Sequence, residues 1–273
     1  MKKNSTIVLL VMAILMAAFF AYQNLKLKEE VKVAVEEPTP IVEGLIVPRS
    51  YETKVLNYND PYVKFDIKYP YFTKADSTFN LKIETLIKDQ MEEHKKLSKE
   101  NWQARYDTQV KGDNIPLVPK DEDKFSFFSD FTIVQSNSTY ISFVSKYGGF
   151  SGGAHGYENN VSFNYNVKTQ KVIELNDLFK DNPTYLNSLS RESRVYLKKE
   201  FIIVTEEDKK NSTPEALKEY VDNMTSQIEA GTKPKIENFN VFTFTSDKVK
   251  IYFAQYQVGP YVIGSPEFVL DRK

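Results

Sequence analysis

Alternation of apolar and polar residues predicts β-strands over much of the chain after residue 60. In "YVKFDIKYPY", Tyr62 to Tyr71, every second residue from Val63 onward is apolar, as in a half-buried strand. Further stretches rich in aromatic and β-branched residues predict strands over 125–135, 139–147, 161–167, 240–245, 248–256 and 266–270. A hairpin turn is predicted at residues 168–171.

Apolar residues with helical spacing predict a long helix after the first strand. Its apolar stripe runs from Phe79 to Leu97, and His94 falls on or beside that stripe, so we interpret His94 as a packed histidine. The polar stretch from Trp102 to Asp123, which contains two prolines, predicts a surface loop.

Two helix starts are predicted in the second half of the chain. Asn182-Pro183 supplies a cap and a first-turn proline, while Ser212 and Glu215 have the spacing of a capping box. Together the elements predict an α+β fold: antiparallel sheets with helices packed on one face, in two interlocking modules over residues 51–170 and 171–273.

The N-terminus has the pattern of an export or anchoring segment. Lys2 and Lys3 precede an uninterrupted apolar run from Ile7 to Ala21, so residues 1–22 are predicted to be a signal-anchor or a signal peptide. Phe19 fits small-residue cleavage after Ala21 poorly, which favours an uncleaved anchor. Residues 23–50 predict a tether. We therefore expect a cell-membrane protein with its bulk extracytoplasmic, or an exported protein if the segment is cleaved.

Composition excludes several functions. The 273 residues contain 36 basic and 37 acidic side chains, which argues against nucleic acid as a partner. Cysteine is absent, which removes disulfides, thiolate nucleophiles and thiolate metal sites.

The stretch "SKYGGFSGGAHGYENN" is the first candidate site, because it places His155 among five glycines. A catalytic role would recruit Ser151, Glu158 or Asp130, but no spacing specifies such a group. A zinc site would need two or three more ligands, and only carboxylates remain. We therefore predict no metal and no cofactor. The glycines, between two predicted strands, favour a shaped connection or a backbone-rich binding loop over residues 148–156.

A second candidate segment is "YFAQYQVGPYVIGSPEF", Tyr252 to Phe268. Its tyrosines suit either stacking on a sugar face or contact with a protein, or else they cover the core. The candidate ligand-binding residues of both segments are Gly149, Gly152, Gly153, His155, Tyr256, Pro260 and Tyr261.

Taken together, the two segments resemble a tandem of bacterial extracytoplasmic domains. "YGGFSGGAHGYENNVSFNYNVKTQKVIELNDLF" spans the end of a first domain, residues 51–170, which is similar to the N-terminal domain associated with peptidoglycan deacetylases, and the start of the second domain. "FTFTSDKVKIYFAQYQVGPYVIG" resembles the domain of unknown function 3298, whose pattern matches Leu175, Leu178, Phe179, Tyr256, Val258, Pro260, Tyr261 and Gly264. The resemblance implies a mixed α/β ectodomain on one membrane anchor, as in lysozyme-sensing anti-sigma factors.

The chain also departs from the patterns of that family. The few residues before Ile7 leave no room for a sigma-binding segment, and the paired-aspartate and "H-x-x-x-H" motifs of deacetylase chemistry do not occur. Gln170 stands where a glycine often completes the hairpin turn.

Three functions follow as hypotheses. The leading one is a non-catalytic binding module of the cell envelope, whose ligand is a peptidoglycan-type glycan or a lysozyme-like protein. The second is an envelope glycan hydrolase or deacetylase-like enzyme that uses His155 with Glu158 or Ser151. The third is a structural accessory protein of a membrane complex.

Overall fold

A computed structural model describes residues 51–56, 58–73, 75–109 and 115–272. The predicted anchor and tether lie outside the described residues. The first sheet has six strands, in the spatial order in which they follow one another along the chain. They are β1 Tyr51–Leu56, β2 Val63–Phe72, β3 Phe125–Ser136, β4 Tyr140–Phe150, β5 Tyr157–Asn166 and β6 Lys171–Val172.

This sheet is mixed, whereas the sequence predicts an antiparallel one. Strands β2 and β3 pair in parallel, with Val63 opposite Phe125, and the other neighbours are antiparallel. The reason is the long helix α1, Ser77–Asp107, between β2 and β3. A crossover of this length returns the chain to the end of the sheet from which β2 started, so β3 runs in the same direction.

Helix α1 covers one face of the six-stranded sheet and buries the predicted apolar stripe. Ile83 and Ile87 are fully buried, and His94 is 2% exposed, as its position on the stripe predicts. The helix runs six residues further than predicted, because Trp102 continues the stripe one turn after Ser98. The Trp102 indole N–H donates to the carbonyl of Pro116 at 3.1 Å, so burial of the ring leaves no unpaired donor.

Strand β4 continues through the first two glycines of the candidate loop. Gly148 and Gly149 lie in the sheet, opposite Glu158 and Tyr157 of β5, so the prediction of a loop over residues 148–156 is wrong for them. The predicted need for close backbone approach is confirmed. A Cβ on Gly148 would lie 2.1 Å from the Tyr157 carbonyl oxygen, and one on Gly149 would lie 2.0 Å from that of Ser126.

The second half of the chain forms a smaller sheet with helices. Its strands are β7 Phe242–Phe244, β8 Lys248–Tyr252 and β9 Glu267–Asp271, all antiparallel. Its helices are α2 Leu175–Leu178, α3 Tyr185–Phe201, α4 Glu206–Asn211 and α5 Pro214–Gly231, with short 3-10 turns at Ile236–Phe239 and Tyr261–Ile263.

Two predicted helix starts are displaced. Helix α3 begins at Tyr185 with Thr184 as its cap, because the Asn182 side chain closes a turn onto the N–H of Thr184. Helix α5 is capped by Thr213, whose hydroxyl accepts from the N–H of Ala216 at 3.2 Å. The prediction of a capping box on Ser212 is therefore wrong, because the N-cap is the next residue, Thr213.

Buried side chains of the large sheet join the two sheets by bonding the backbone of β7. Ser142 accepts from the N–H of Phe244 at 3.0 Å and donates to Asn164 at 2.6 Å. Asn164 in turn donates to the carbonyl of Phe242 at 2.7 Å. These bonds give partners to backbone groups of β7, an edge strand whose N–H and carbonyl groups would otherwise be buried and unpaired. They also fix the position of the second half of the chain against β4 and β5.

Among the residues that the structure describes, none of the helices combines the length and the apolar character that a membrane span requires.

Candidate functional site

The turn between β4 and β5 carries His155. Gly152 adopts a φ of 95°, and a Cβ there would lie 2.8 Å from the ring of Phe125, so glycine is required for both conformation and space. Asn101 of α1 donates to the carbonyl of Ser151 at 2.6 Å. The turn is therefore held against the helix below it, while Gly153 and His155 remain exposed.

Tyr256 lies in a second turn, just after β8, and has a strained backbone. Its φ of 66° falls in the left-handed region that non-glycine residues seldom adopt. Gln257 holds the conformation, because its side chain accepts from the N–H of Ala254 and donates to the carbonyls of Gly231 and Asn238, all at 3.0 Å. Such strain persists only where the surrounding structure enforces it, and it concentrates at functional sites.

The two turns meet, which brings the two candidate segments of the sequence together. Nε2 of His155 lies 2.9 Å from the hydroxyl of Tyr256, and the His155 ring packs on Tyr261 with centroids 4.0 Å apart. Nδ1 of His155 donates to the carbonyl of Gly156 at 2.8 Å. The other ring nitrogen, Nε2, shares its hydrogen bond with the Tyr256 hydroxyl. We call His155, Tyr256 and Tyr261 the aromatic rim.

The aromatic rim is open to solvent. Tyr256 is 56% exposed and Tyr261 is 37% exposed, and Val262, which follows Tyr261 in the 3-10 turn, is 86% exposed. The possibility that these tyrosines cover the core is therefore wrong. Ring faces fixed at a surface offer contact area with little loss of side-chain entropy on binding.

A shallow groove of about 340 Å³ lies beside the aromatic rim, near the lower end of the size of small-ligand sites. It is lined by Ser126, Phe128, Gly149, Phe150, Gly156, Tyr157, Glu158, Gln255 and Tyr261. Gln255 joins its two sides, because the Gln255 side chain accepts from the N–H of Glu158 at 3.1 Å. The carboxylate of Glu158 pairs with Lys146 at 2.9 Å.

The candidate catalytic groups do not assemble around His155. In the part of the chain that the structure describes, the hydrogen bonds of His155 go to Gly156 and Tyr256. The carboxylate of Glu158 faces Lys146, and the side chain of Asp130 accepts from the backbone of Phe131. Without a carboxylate on its ring, His155 lacks the orienting partner of a general base. No cluster of three or more metal-ligating side chains occurs among the described residues.

The remaining candidates take supporting positions. Gly149 lines the groove, Gly152 and Gly153 shape the turn, and Pro260 is half-buried just before Tyr261. Sequence reasoning missed Lys146, Phe128, Phe150 and Gln255. Gln255 gives no sequence signal, because its role depends on the docking of residues 97 positions apart.

A buried polar layer lies directly beneath the groove. The hydroxyl of Tyr157 lies 2.8 Å from Nδ1 of His94, and the two rings are in contact. Burial lowers the pKa of His94 from 6.5 to about 4, while it raises the pKa values of Tyr157 and Tyr147. Both tyrosines and the histidine are therefore neutral near pH 7, and a hydrogen bond between neutral groups joins Tyr157 to His94.

In the comparison with known proteins, two regions of the chain match described family models. Residues 56–158 match the family model described as deacetylase PdaC. Residues 176–273 match the model of a protein of unknown function, DUF3298. The chain thus carries a PdaC-type region followed by a DUF3298 region, which confirms the tandem that the sequence resembles. The boundary at residue 170 stays a prediction, because it lies between the two matches.

One curated relative is the peptidoglycan-N-acetylmuramic acid deacetylase PdaC of Bacillus subtilis (strain 168). It is 29% identical over 146 residues, which cover 52% of this chain and 27% of the relative. The chain thus aligns with about a quarter of that enzyme's length.

A solved structure of a DUF3298 family member from Bacteroides fragilis shares the fold. It superposes with a TM-score of 0.52 at 17% identity, over 82% of this chain and 91% of that chain. At this identity, the likeness shows the fold alone.

Proposed function

We propose that this chain is a non-catalytic binding module of the bacterial cell envelope, and that its ligand is a peptidoglycan-type glycan. The proposal includes a membrane anchor at residues 1–22, with residues 51–273 on the extracytoplasmic side. The ligand contacts are the aromatic rim and the groove beside it.

The observation that carries the proposal is the convergence of two distant segments into one exposed surface. His155 from the first half bonds Tyr256 and stacks on Tyr261 from the second half. The fold tolerates a left-handed tyrosine and two solvent-exposed rings to build this surface. Exposed tyrosine rings beside a groove with hydrogen-bonding groups suit a sugar, which has an apolar face and polar edges.

The family matches support an envelope-related role. The region that supplies His155 and Glu158 matches the PdaC model, and the curated relative is named as an enzyme acting on peptidoglycan. The near balance of 36 basic and 37 acidic side chains gives little long-range steering. Recognition would therefore depend on local shape and contacts.

An envelope hydrolase or deacetylase-like activity is the second candidate, because the relative is named as a deacetylase. It would rest on His155 with Glu158 or Ser151. The geometry favours it less, since His155 bonds a carbonyl and a phenol while Glu158 pairs with Lys146.

Co-sedimentation of the purified protein with insoluble peptidoglycan tests the proposal. We expect the protein to deplete from the supernatant in a saturable manner, and soluble peptidoglycan fragments to compete. Lysozyme immobilised on beads forms the second arm, because the resemblance to lysozyme-sensing ectodomains makes a lysozyme-like protein the alternative ligand.

The outcomes separate the three hypotheses. Retention by lysozyme alone would replace the glycan with a protein partner, and retention by neither would contradict a binding module and favour an accessory role. Release of reducing ends or of acetate from wall glycan, lost in a folded His155→Ala variant, would establish the enzyme instead.

A further inference from the structure

The groove carries one charged side chain in a lining that is otherwise aromatic, polar or backbone. Among the lining residues that the structure describes, Glu158 alone has an acidic side chain, and none is basic. The cation that pairs with this carboxylate, Lys146, lies outside the lining.

The sheet register places this carboxylate opposite an aromatic ring. Phe128 of β3 is paired with Gly148 of β4, which is paired with Glu158 of β5, so all three share one face of the sheet. Phe128 and Glu158 stand two strand spacings apart, about 10 Å. Because Gly148 has no side chain, and a Cβ there would lie 2.1 Å from the Tyr157 carbonyl oxygen, bare backbone separates them.

The chain itself shows that an ammonium group fits at Glu158. Nζ of Lys146 lies 2.9 Å from Oε1 of Glu158, and the two side chains are 48% and 31% exposed. A half-exposed pair of this kind is weak and exchanges readily. The backbone N–H of Glu158 donates to the side chain of Gln255, which fixes the strand that carries the carboxylate. A ligand ammonium therefore meets the Glu158 carboxylate on a fixed backbone.

From these observations we infer that the groove selects glycans that carry free, protonated amino groups over their N-acetylated forms. The inference rests on the proposed glycan-binding function and specifies its ligand. The sugar ring lies against the aromatic side of the groove, and its ammonium pairs with Glu158 in competition with Lys146. An N-acetylated sugar has no charge to offer at that position.

Two peptide-free ligands of equal length test the inference: β-1,4-linked glucosamine oligomers and their fully N-acetylated counterparts. Binding of each to the full-length protein is measured by calorimetry at mildly acidic pH, where the sugar amine is protonated. We expect the free-amine oligomer to bind about two- to fivefold more tightly, as for an exposed ion pair. The preference should shrink as salt is added.

Three variants assign the preference to Glu158. Glu158→Gln should abolish the difference between the two oligomers. Lys146→Met should enlarge it, because the competing ammonium is gone. Glu267→Gln is the matched control, since Glu267 pairs with Lys250 at 2.8 Å with similar exposure on the second sheet, and it should leave the difference unchanged. Thermal unfolding confirms that each variant is folded.

Each result decides the question. Equal or tighter binding of the N-acetylated oligomer, or a preference that survives in folded Glu158→Gln, overturns the inference and leaves the proposed function standing. Binding of neither oligomer, while insoluble peptidoglycan still sediments the protein, also overturns the inference alone. If peptidoglycan does not bind either, the proposed function falls with it.

Discussion

A hydrogen bond of 2.9 Å joins Nε2 of His155 to the hydroxyl of Tyr256, although the two residues are 101 positions apart. One belongs to the region that matches PdaC and the other to the region that matches DUF3298. The bond therefore forms only when the two halves dock. The surface that we propose as the ligand site is a property of the tandem.

Because Tyr256 has a strained, left-handed backbone, replacing it with glycine tests its role in binding with little effect on stability. In Tyr256→Gly, relief of the left-handed strain, about 1–2 kcal/mol, is opposed by the greater freedom of unfolded glycine and by the lost hydrogen bond. We expect the free energy of unfolding to change by less than about 1 kcal/mol, while peptidoglycan binding is lost. Chemical denaturation and co-sedimentation measure the two effects.

Tyr256→Phe is the matched control for this variant, because it keeps the ring and removes only the hydroxyl. It should retain most of the binding. Wild-type binding by Tyr256→Gly would show that the ring of Tyr256 does not contact the ligand.

The buried hydrogen bonds between the sheets predict that loss of the Ser142 hydroxyl lowers the free energy of unfolding. Ser142 is fully buried. Ser142→Ala leaves the backbone N–H of Phe244 and the side-chain oxygen Oδ1 of Asn164 without the hydroxyl that each of them contacts. We expect the free energy of unfolding to fall by about 1–3 kcal/mol. Ser138→Ala, in the exposed turn before the same strand, should have little effect. Equal stability of the two variants in urea denaturation would contradict this account of the interface.

The sequence allows the elements to be predicted better than their ends. The alternation from Val63 and the stripe around Ile83 give the correct strand and helix, because both depend on local periodicity. The parallel pairing of β2 and β3 follows from the crossover through α1, so it depends on how the chain returns to the sheet and not on local periodicity. The end of α1 is missed because Trp102 is buried there and donates to the carbonyl of Pro116, a contact that no sequence pattern reveals.

The candidate site was predicted in its parts and missed in its assembly. The sequence indicates His155 through the glycines around it, and Tyr256 and Tyr261 separately, as aromatic residues near a turn. Their contact depends on the docking of the two sheets through Ser142 and Asn164, which is tertiary information. Gln255 is missed for the same reason, whereas the pairing of Lys146 with Glu158 depends on the register of β4 and β5 within one sheet.

His94 makes the stability of the fold depend on pH. Burial lowers its pKa from 6.5 to about 4, so the unfolded chain binds this proton at a higher pH than the folded chain does. The stabilisation is fully present above pH 6.5 and is lost as the pH falls to about 4, by up to about 3 kcal/mol. Urea denaturation at several pH values measures this dependence.

His94→Gln provides the control, because glutamine has no charge to gain. Its free energy of unfolding should fall less steeply than that of the wild type between pH 6.5 and 4. Parallel pH profiles for the two proteins would show that His94 is not the group responsible.

Gln170 offers a stabilising substitution in the hairpin turn. Its φ is 55° and its side chain is exposed, so glycine removes the left-handed penalty without loss of packing. After the greater unfolded-state freedom of glycine is subtracted, Gln170→Gly should gain roughly 0.5–1 kcal/mol. Gln170→Ala keeps the penalty and should gain nothing. A gain in alanine equal to that in glycine would contradict the explanation from backbone strain.

Co-sedimentation of Tyr261→Ala with insoluble peptidoglycan tests the central claim most directly, with Tyr71→Ala as the matched control. The two tyrosines are 37% and 38% exposed, but only Tyr261 belongs to the aromatic rim. We predict that Tyr261→Ala weakens binding about tenfold, from the loss of one aromatic contact, while Tyr71→Ala binds as the wild type does. Wild-type binding by Tyr261→Ala, or an equal loss in both variants, would contradict the assignment of the ligand site to the aromatic rim.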